Sequence, residues 1–93
     1  MITLEEIEAV LRDRLAEPVE GSYSLTLLTD PERARRKIME EAFELCLELG
    51  REPLDRQRTA SEAADLLFHA LVGLVGAGVP LSAVMSELQE RRR

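Results

Sequence analysis

Apolar residues recur along this chain at spacings of three and four, the period of a helix packed on one face. Ile7, Val10, Leu11 and Leu15 keep that spacing behind Thr3-Leu4-Glu5-Glu6, a capping box with Thr3 as N-cap. A first helix to about Leu15 follows. Pro18 and Gly21 interrupt the pattern, and "GSYSLTLL" (21–28) has no clear helical period. It reads as an ordered loop or short helical turn in which Tyr23, Leu25, Leu27 and Leu28 seek burial. Asp30-Pro31 starts the next helix, with Asp as N-cap and Pro at the first position. This helix is expected to reach Leu49, with Gly50 at its end and Pro53 in the turn. A third long helix begins near Asp55 or Arg56 and runs to about Ala77, closed by Gly78. After Val79-Pro80, the positions Leu81, Val84, Met85 and Leu88 predict a short helix ending at Glu90 and the run Arg91 to Arg93, where cations favour a helix C-terminus.

The expected fold is therefore all-α, a four-to-five-helix chain built on a central antiparallel pair. With 93 residues and no composition break, the chain is one domain, 1–93. Its hydrophobic share of 45% is more than so few helices can cover alone, which points to a homodimer, a dimeric helical bundle. Cys46, the one cysteine, lies on an apolar helical arc and is expected in the core. A single cysteine allows no internal disulfide and fits a reducing cytoplasm. Glu5, Glu6 and Glu8 break the N-terminal apolar residues, so no signal peptide is expected. The apolar stretch Leu66 to Leu81 falls short of the ~20 residues that span a bilayer, so no membrane partner is expected. With 18 acidic against 12 basic residues, the net charge of −6 argues against sequence-independent nucleic-acid binding, and no nucleic-acid partner is expected.

Two stripes of acid change the picture. On the second helix, Ile38, Ala42, Leu45 and Leu49 form one line, and Met39, Phe43, Cys46 and Leu47 widen it to about half the wheel at ~100° per position. The remaining stripe holds Lys37, Glu40, Glu41, Glu44 and Glu48, four carboxylates with few cations beside them. By itself such a stripe is an ordinary solvated face. The third helix is different. "SEAADLLFHALVGLVGAG" (61–78) is apolar around most of its circumference and is expected to be buried nearly all round. Its polar strip is Ser61, Glu62, Asp65 and His69, continued by Gly73 and Gly76. Carboxylates on a buried helix are costly unless paired or bound to a cation.

Glu41-x-x-Glu44 and Glu62-x-x-Asp65, with 17 residues between them, meet when the two helices pack antiparallel. An oxygen-only ligand set of this kind favours a hard cation, Mg²⁺ with Mn²⁺ tolerated, and the absence of a second His or a cysteine pair argues against zinc. His69 reads either as a hydrogen-bonded core residue or as a contact to a phosphate or a carboxylate, and Tyr23 reads first as a core or interface residue.

The EXXE…EXXD pattern resembles the MazG-like all-α nucleotide pyrophosphohydrolases, and within them the phosphoribosyl-ATP pyrophosphohydrolases of histidine biosynthesis. "GSYSLTLL" (21–28), "KIMEEAFEL" (37–45), "EAADLLFHALVGL" (62–74) and "GVPLSAVMSEL" (78–88) carry the resemblance. Met39 stands where the histidine-pathway enzymes commonly have Gly, Phe68 replaces a common Tyr, and Thr26 takes a position that is often basic. The resemblance implies hydrolysis of an α–β phosphoanhydride in a nucleotide substrate, with Mg²⁺ on Glu41, Glu44, Glu62 and Asp65. It makes Glu40 a further metal contact or the orienter of the attacking water, and Glu40 and Glu41 the catalytic pair. Lys37, His69 and Tyr23 become the candidates for substrate contact. Arg35, Arg36, Arg56 and Arg58 are unranked phosphate-holding candidates. A housecleaning nucleoside triphosphate pyrophosphohydrolase would share this metal site, and a non-catalytic dimerisation module would keep the carboxylates for assembly alone.

Overall fold

The computed structural model describes residues 1–92, so Arg93 of the expected C-terminal arginine run lies outside the described residues. Five helices follow one another: α1 (Leu4–Ala16), α2 (Tyr23–Leu28), α3 (Pro31–Leu49), α4 (Arg56–Gly76) and α5 (Leu81–Glu90). The described residues contain no strand, and the chain is all-α as its periodicity predicts.

Local chemistry sets most helix ends. The side chains of Thr3, Ser22, Asp30 and Asp55 each accept the backbone N–H three residues on, capping α1 to α4 in turn. The start of α5 has no such side chain. Leu81 N–H instead donates to Glu8 Oε2 of α1 at 2.6 Å, a cap supplied from 73 residues away. At the end of α4, Val79 N–H reaches Leu74 O (2.9 Å) and Gly78 N–H reaches Val75 O (3.0 Å), a Schellman closure. It turns on Gly78 at φ +76°, a conformation other residues resist.

α3 and α4 form the most extensive contact, an antiparallel hairpin. The core gathers at one end of it: Leu11, Leu27, Leu28, Leu71, Val72, Val75 and Leu81, flanked by Leu4, Ile7, Leu15, Phe68 and Val84. Thus α1, α2 and the start of α5 all pack near the C-terminal half of α4. There α2 comes so close that a Cβ on Gly76 would lie 2.7 Å from the carbonyl oxygen of Leu28. Only glycine permits that approach.

Crowding the core to one end leaves the N-terminal half of α4 less covered than its composition predicts. Ala60, Ala64 and Leu67 are exposed in the single chain. On α3 the seam facing α4 is Ala34, Ile38, Glu41, Leu45 and Glu48, so two glutamates of the acid stripe are buried between the helices. Much of the broad apolar arc faces outward instead: Met39, Phe43, Cys46, Leu47 and Leu49 are exposed. Cys46 is therefore not a core residue of the single chain. Tyr23 is also half-exposed, since α2 turns Leu27 and Leu28 inward and its own first residue outward. Among the described residues no single helix is long and apolar enough to cross a membrane.

Candidate active site

The α3–α4 hairpin carries two polar rows that face each other. One runs Lys37, Glu41, Glu44, Glu48 along α3, and the other runs Arg58, Glu62, Asp65, His69 along α4. The caps described above fix where each helix starts and hence which residues share a face.

At the middle of the rows, carboxylate oxygens of Glu41, Glu62 and Asp65 all lie within 4.8 Å of one another. Glu41 is buried, Glu62 half-buried and Asp65 exposed, so the cluster opens to solvent on the Asp65 side. Such crowding of like charge disfavours ionisation. Partial burial, and then the charges of Glu44, Asp65, Glu41 and Glu48, push the Glu62 carboxyl above its ordinary range. A hard cation would relieve that repulsion, and three converging carboxylates are the donor set such a cation takes. The residues present therefore fit Mg²⁺ or Mn²⁺. Glu44, the fourth ligand expected from the spacing, shares the face and acts on Glu62 through its charge, but stands outside the converging three.

Lys37 closes one end of the acidic row. Its Nζ lies 3.3 Å from Glu40 Oε1 and 3.4 Å from Glu41 Oε1. The hydrogen bond to Glu40 holds the ammonium above its ordinary pKa; partial burial opposes this and Glu41 supports it. Glu40 itself is exposed and points its carboxylate at this cation rather than into the converging three.

One turn beyond Asp65 on α4 lies a buried imidazole. His69 is only 6% exposed. Its Nδ1 is 2.7 Å from the carbonyl oxygen of Asp65, and its Nε2 is 3.1 Å from the Tyr23 hydroxyl. A carbonyl can only accept, so Nδ1 carries a proton, and in the tautomer with its proton on Nδ1 alone Nε2 accepts from Tyr23. Tyr23 and Phe68 meet the imidazole edge-on, with interplanar angles of 83° and 88°. The structure shows the first reading of His69, a hydrogen-bonded core histidine; its Nδ1 partner is the main-chain carbonyl of Asp65 and not the carboxylate.

At the far end, Glu48 is buried between Arg51 and Arg58. The spacing along α3 does not distinguish Glu48 from its solvated neighbours. The signal, visible only with α4 alongside, is that Arg58 precedes Glu62 by one turn and so faces the same row.

Fold and site together define an all-α protein whose central helix pair holds a carboxylate centre with cationic residues at either end. Residues 4–92 match the family described as phosphoribosyl-ATP pyrophosphohydrolase, and the chain belongs to that family. It is 45% identical over 93 residues to a phosphoribosyl-ATP pyrophosphatase of Methanosphaerula palustris, covering 97% of this chain and 92% of that one. A phosphoribosyl-ATP pyrophosphatase of Methylobacterium nodulans is 40% identical over 90 residues, covering 96% of this chain and 82% of the relative. A histidine biosynthesis bifunctional protein of Pyrococcus furiosus is 40% identical over 91 residues, which is 97% of this chain and 41% of that larger protein.

Proposed function

We propose that the chain hydrolyses the α–β phosphoanhydride of phosphoribosyl-ATP, giving phosphoribosyl-AMP and pyrophosphate in the second step of histidine biosynthesis. The observation that carries this reading is the convergence of Glu41, Glu62 and Asp65 in a member of this family. These three residues would hold Mg²⁺, or Mn²⁺ in its place, with Glu44 on the same face as the fourth ligand of the proposal. When bound, the metal supplies charge neutralisation and Lewis acidity toward a polyphosphate. Glu40, whose carboxylate pairs with Lys37 in the metal-free chain, would turn from that cation to accept the proton of the attacking water. The water oxygen bonds to phosphorus as the bridging oxygen leaves with its electron pair on the departing phosphate. Lys37, at the edge of the centre, offers a phosphate a point charge. His69 and Tyr23 form the wall beside it.

The working form is a homodimer in the cytoplasm. Met39, Phe43, Cys46 and Leu47 lie at successive helical positions on one exposed face of α3, and Leu67 is exposed on α4. A contiguous exposed apolar face marks an interaction surface.

The test is pyrophosphate release from phosphoribosyl-ATP with Mg²⁺, beside a panel of nucleoside triphosphates. Turnover of phosphoribosyl-ATP above the panel is expected. Turnover of the panel alone would favour the housecleaning reading, and no turnover of any compound would leave only the dimerisation module.

A further inference from the structure

We propose that Arg51 and Arg58, tethered by the buried carboxylate of Glu48, form a subsite for the terminal phosphates of the substrate, the part released as pyrophosphate. The proposal rests on the reading of this chain as a pyrophosphohydrolase.

Glu48 is 3% exposed, yet it is a carboxylate with two cations against it. Its Oε2 meets Arg58 at Nε (3.3 Å) and Nη2 (3.2 Å), and its Oε1 lies 3.0 Å from Arg51 Nε. Both Arg58 nitrogens meet Oε2, and Oε1 faces Arg51 alone. One guanidinium balances the charge of Glu48, so the second cation is in excess of that carboxylate. Both arginine side chains are more than half exposed, at 54% and 62%. Glu48 engages three of their nitrogens, whereas each guanidinium carries five N–H donors. The Arg51 pair also lacks an aligned hydrogen bond at Glu48 Oε1, so Arg51 is the looser of the two.

Placement gives the subsite its ligand. Arg58 precedes Glu62 by one turn of α4, about 6 Å along the axis. Its position in the first turn of a 21-residue helix adds the positive end of the helix dipole. The metal-type centre is thus flanked by Lys37 and the Tyr23–His69 pair on one side and by Arg51 and Arg58 on the other. The half-exposed ring of Tyr23 offers an apolar face suited to a nucleoside. The paired guanidiniums offer the forked donors that match phosphate. A polyphosphate lying along the helix pair with its scissile linkage at Glu41, Glu62 and Asp65 therefore directs its terminal phosphates toward the arginines.

The experiment compares pyrophosphate with phosphoribosyl-AMP, the two products, as inhibitors of the wild-type chain and of Arg51→Gln, Arg58→Gln and Arg58→Lys. Each glutamine variant is expected to raise the inhibition constant for pyrophosphate about tenfold or more, the loss of a charge-assisted contact. Phosphoribosyl-AMP inhibition and Mn²⁺ binding without substrate stay unchanged, and Arg58→Lys recovers part of the pyrophosphate affinity. Unchanged pyrophosphate inhibition in both glutamine variants, or equal weakening of both products, would overturn the proposal. Calorimetric binding of pyrophosphate with Mg²⁺ needs no turnover, so the subsite is tested even if phosphoribosyl-ATP proves not to be the substrate. Arg51→Gln leaves Glu48 paired with Arg58, which keeps one folded variant available.

Discussion

The Tyr23 hydroxyl donates to Nε2 of His69 across 3.1 Å, joining residues 46 apart in sequence. Through it the first residue of α2 reports on the same imidazole whose other nitrogen holds the carbonyl of Asp65 at 2.7 Å. The two bonds give a half-exposed tyrosine a line of contact to the backbone of the carboxylate centre.

Removing that hydroxyl leaves a buried acceptor without its donor. Tyr23→Phe is expected to cost about 1 kcal/mol. For a chain of this length that lowers the melting temperature by about 4–8 °C, readable by circular dichroism. An unchanged melting temperature would mean that solvent satisfies Nε2, and that the bond does not hold α2 to α4.

The converging carboxylates make a stronger demand. Glu41→Gln or Asp65→Asn keeps size and shape while removing a charged ligand. Changes to groups that merely support metal ligands cost up to about a hundredfold. Loss of a ligand is therefore expected to reduce Mg²⁺-dependent pyrophosphate release by about a hundredfold or more, with the helical circular dichroism spectrum retained. Full activity in either variant would remove that residue from the centre.

What the sequence made readable follows the range of the forces involved. Helix starts at Thr3, Asp30 and Asp55 were legible because a cap acts over three residues. The pairing of Glu41 with Glu62 and Asp65 was legible because i,i+3 carboxylates on two antiparallel helices have few other ways to meet. The rotation of α3 about its axis was not. A wheel half apolar and half acidic points to burial of Phe43 and Cys46, but tertiary contact turned Glu41 and Glu48 toward α4 instead. Periodicity says that a face seeks cover; it does not say which element supplies it. The Glu48 pairing with Arg51 and Arg58 shares this cause, since it depends on how the hairpin closes.

Glu62 carries the electrostatic strain of the centre. Its pKa is raised by folding, first by burial and then by its acidic neighbours, so the fold disfavours its ionised form. At neutral pH this repulsion lowers the stability of the metal-free protein. As pH falls through the raised pKa the group protonates and the penalty disappears. Metal-free Glu62→Gln is accordingly expected to melt above the wild type at pH 7, with the gap closing on mild acidification. If Glu62 holds Mg²⁺ as proposed, the ion at about 100 times its dissociation constant is expected to stabilise the wild type by about 2.7 kcal/mol, and the variant by less. A variant that melts below the wild type without metal would show that Glu62 is stabilised by its surroundings rather than opposed by them.

The outward face of α3 makes the last demand. Met39 is 72% exposed and Phe43 63%, and Cys46 and Leu47 continue the row at the next turn. An apolar row at i, i+4, i+7 and i+8 is the face a helix buries against a partner. Here α1, α2 and α5 all lie elsewhere, and in the homodimer proposed above a second copy would cover the row. Phe43→Glu places a charge at the centre of the row. It would force either desolvation of the carboxylate or separation of the chains. The wild type is expected to sediment as a dimer and Phe43→Glu as a monomer. The monomer should also melt at lower temperature, because in a dimer subunit contact and folding stability are linked through protomer concentration. A wild type that sediments as a monomer at micromolar concentration would leave this face without its second copy, while the carboxylate centre within one chain would stand unaffected.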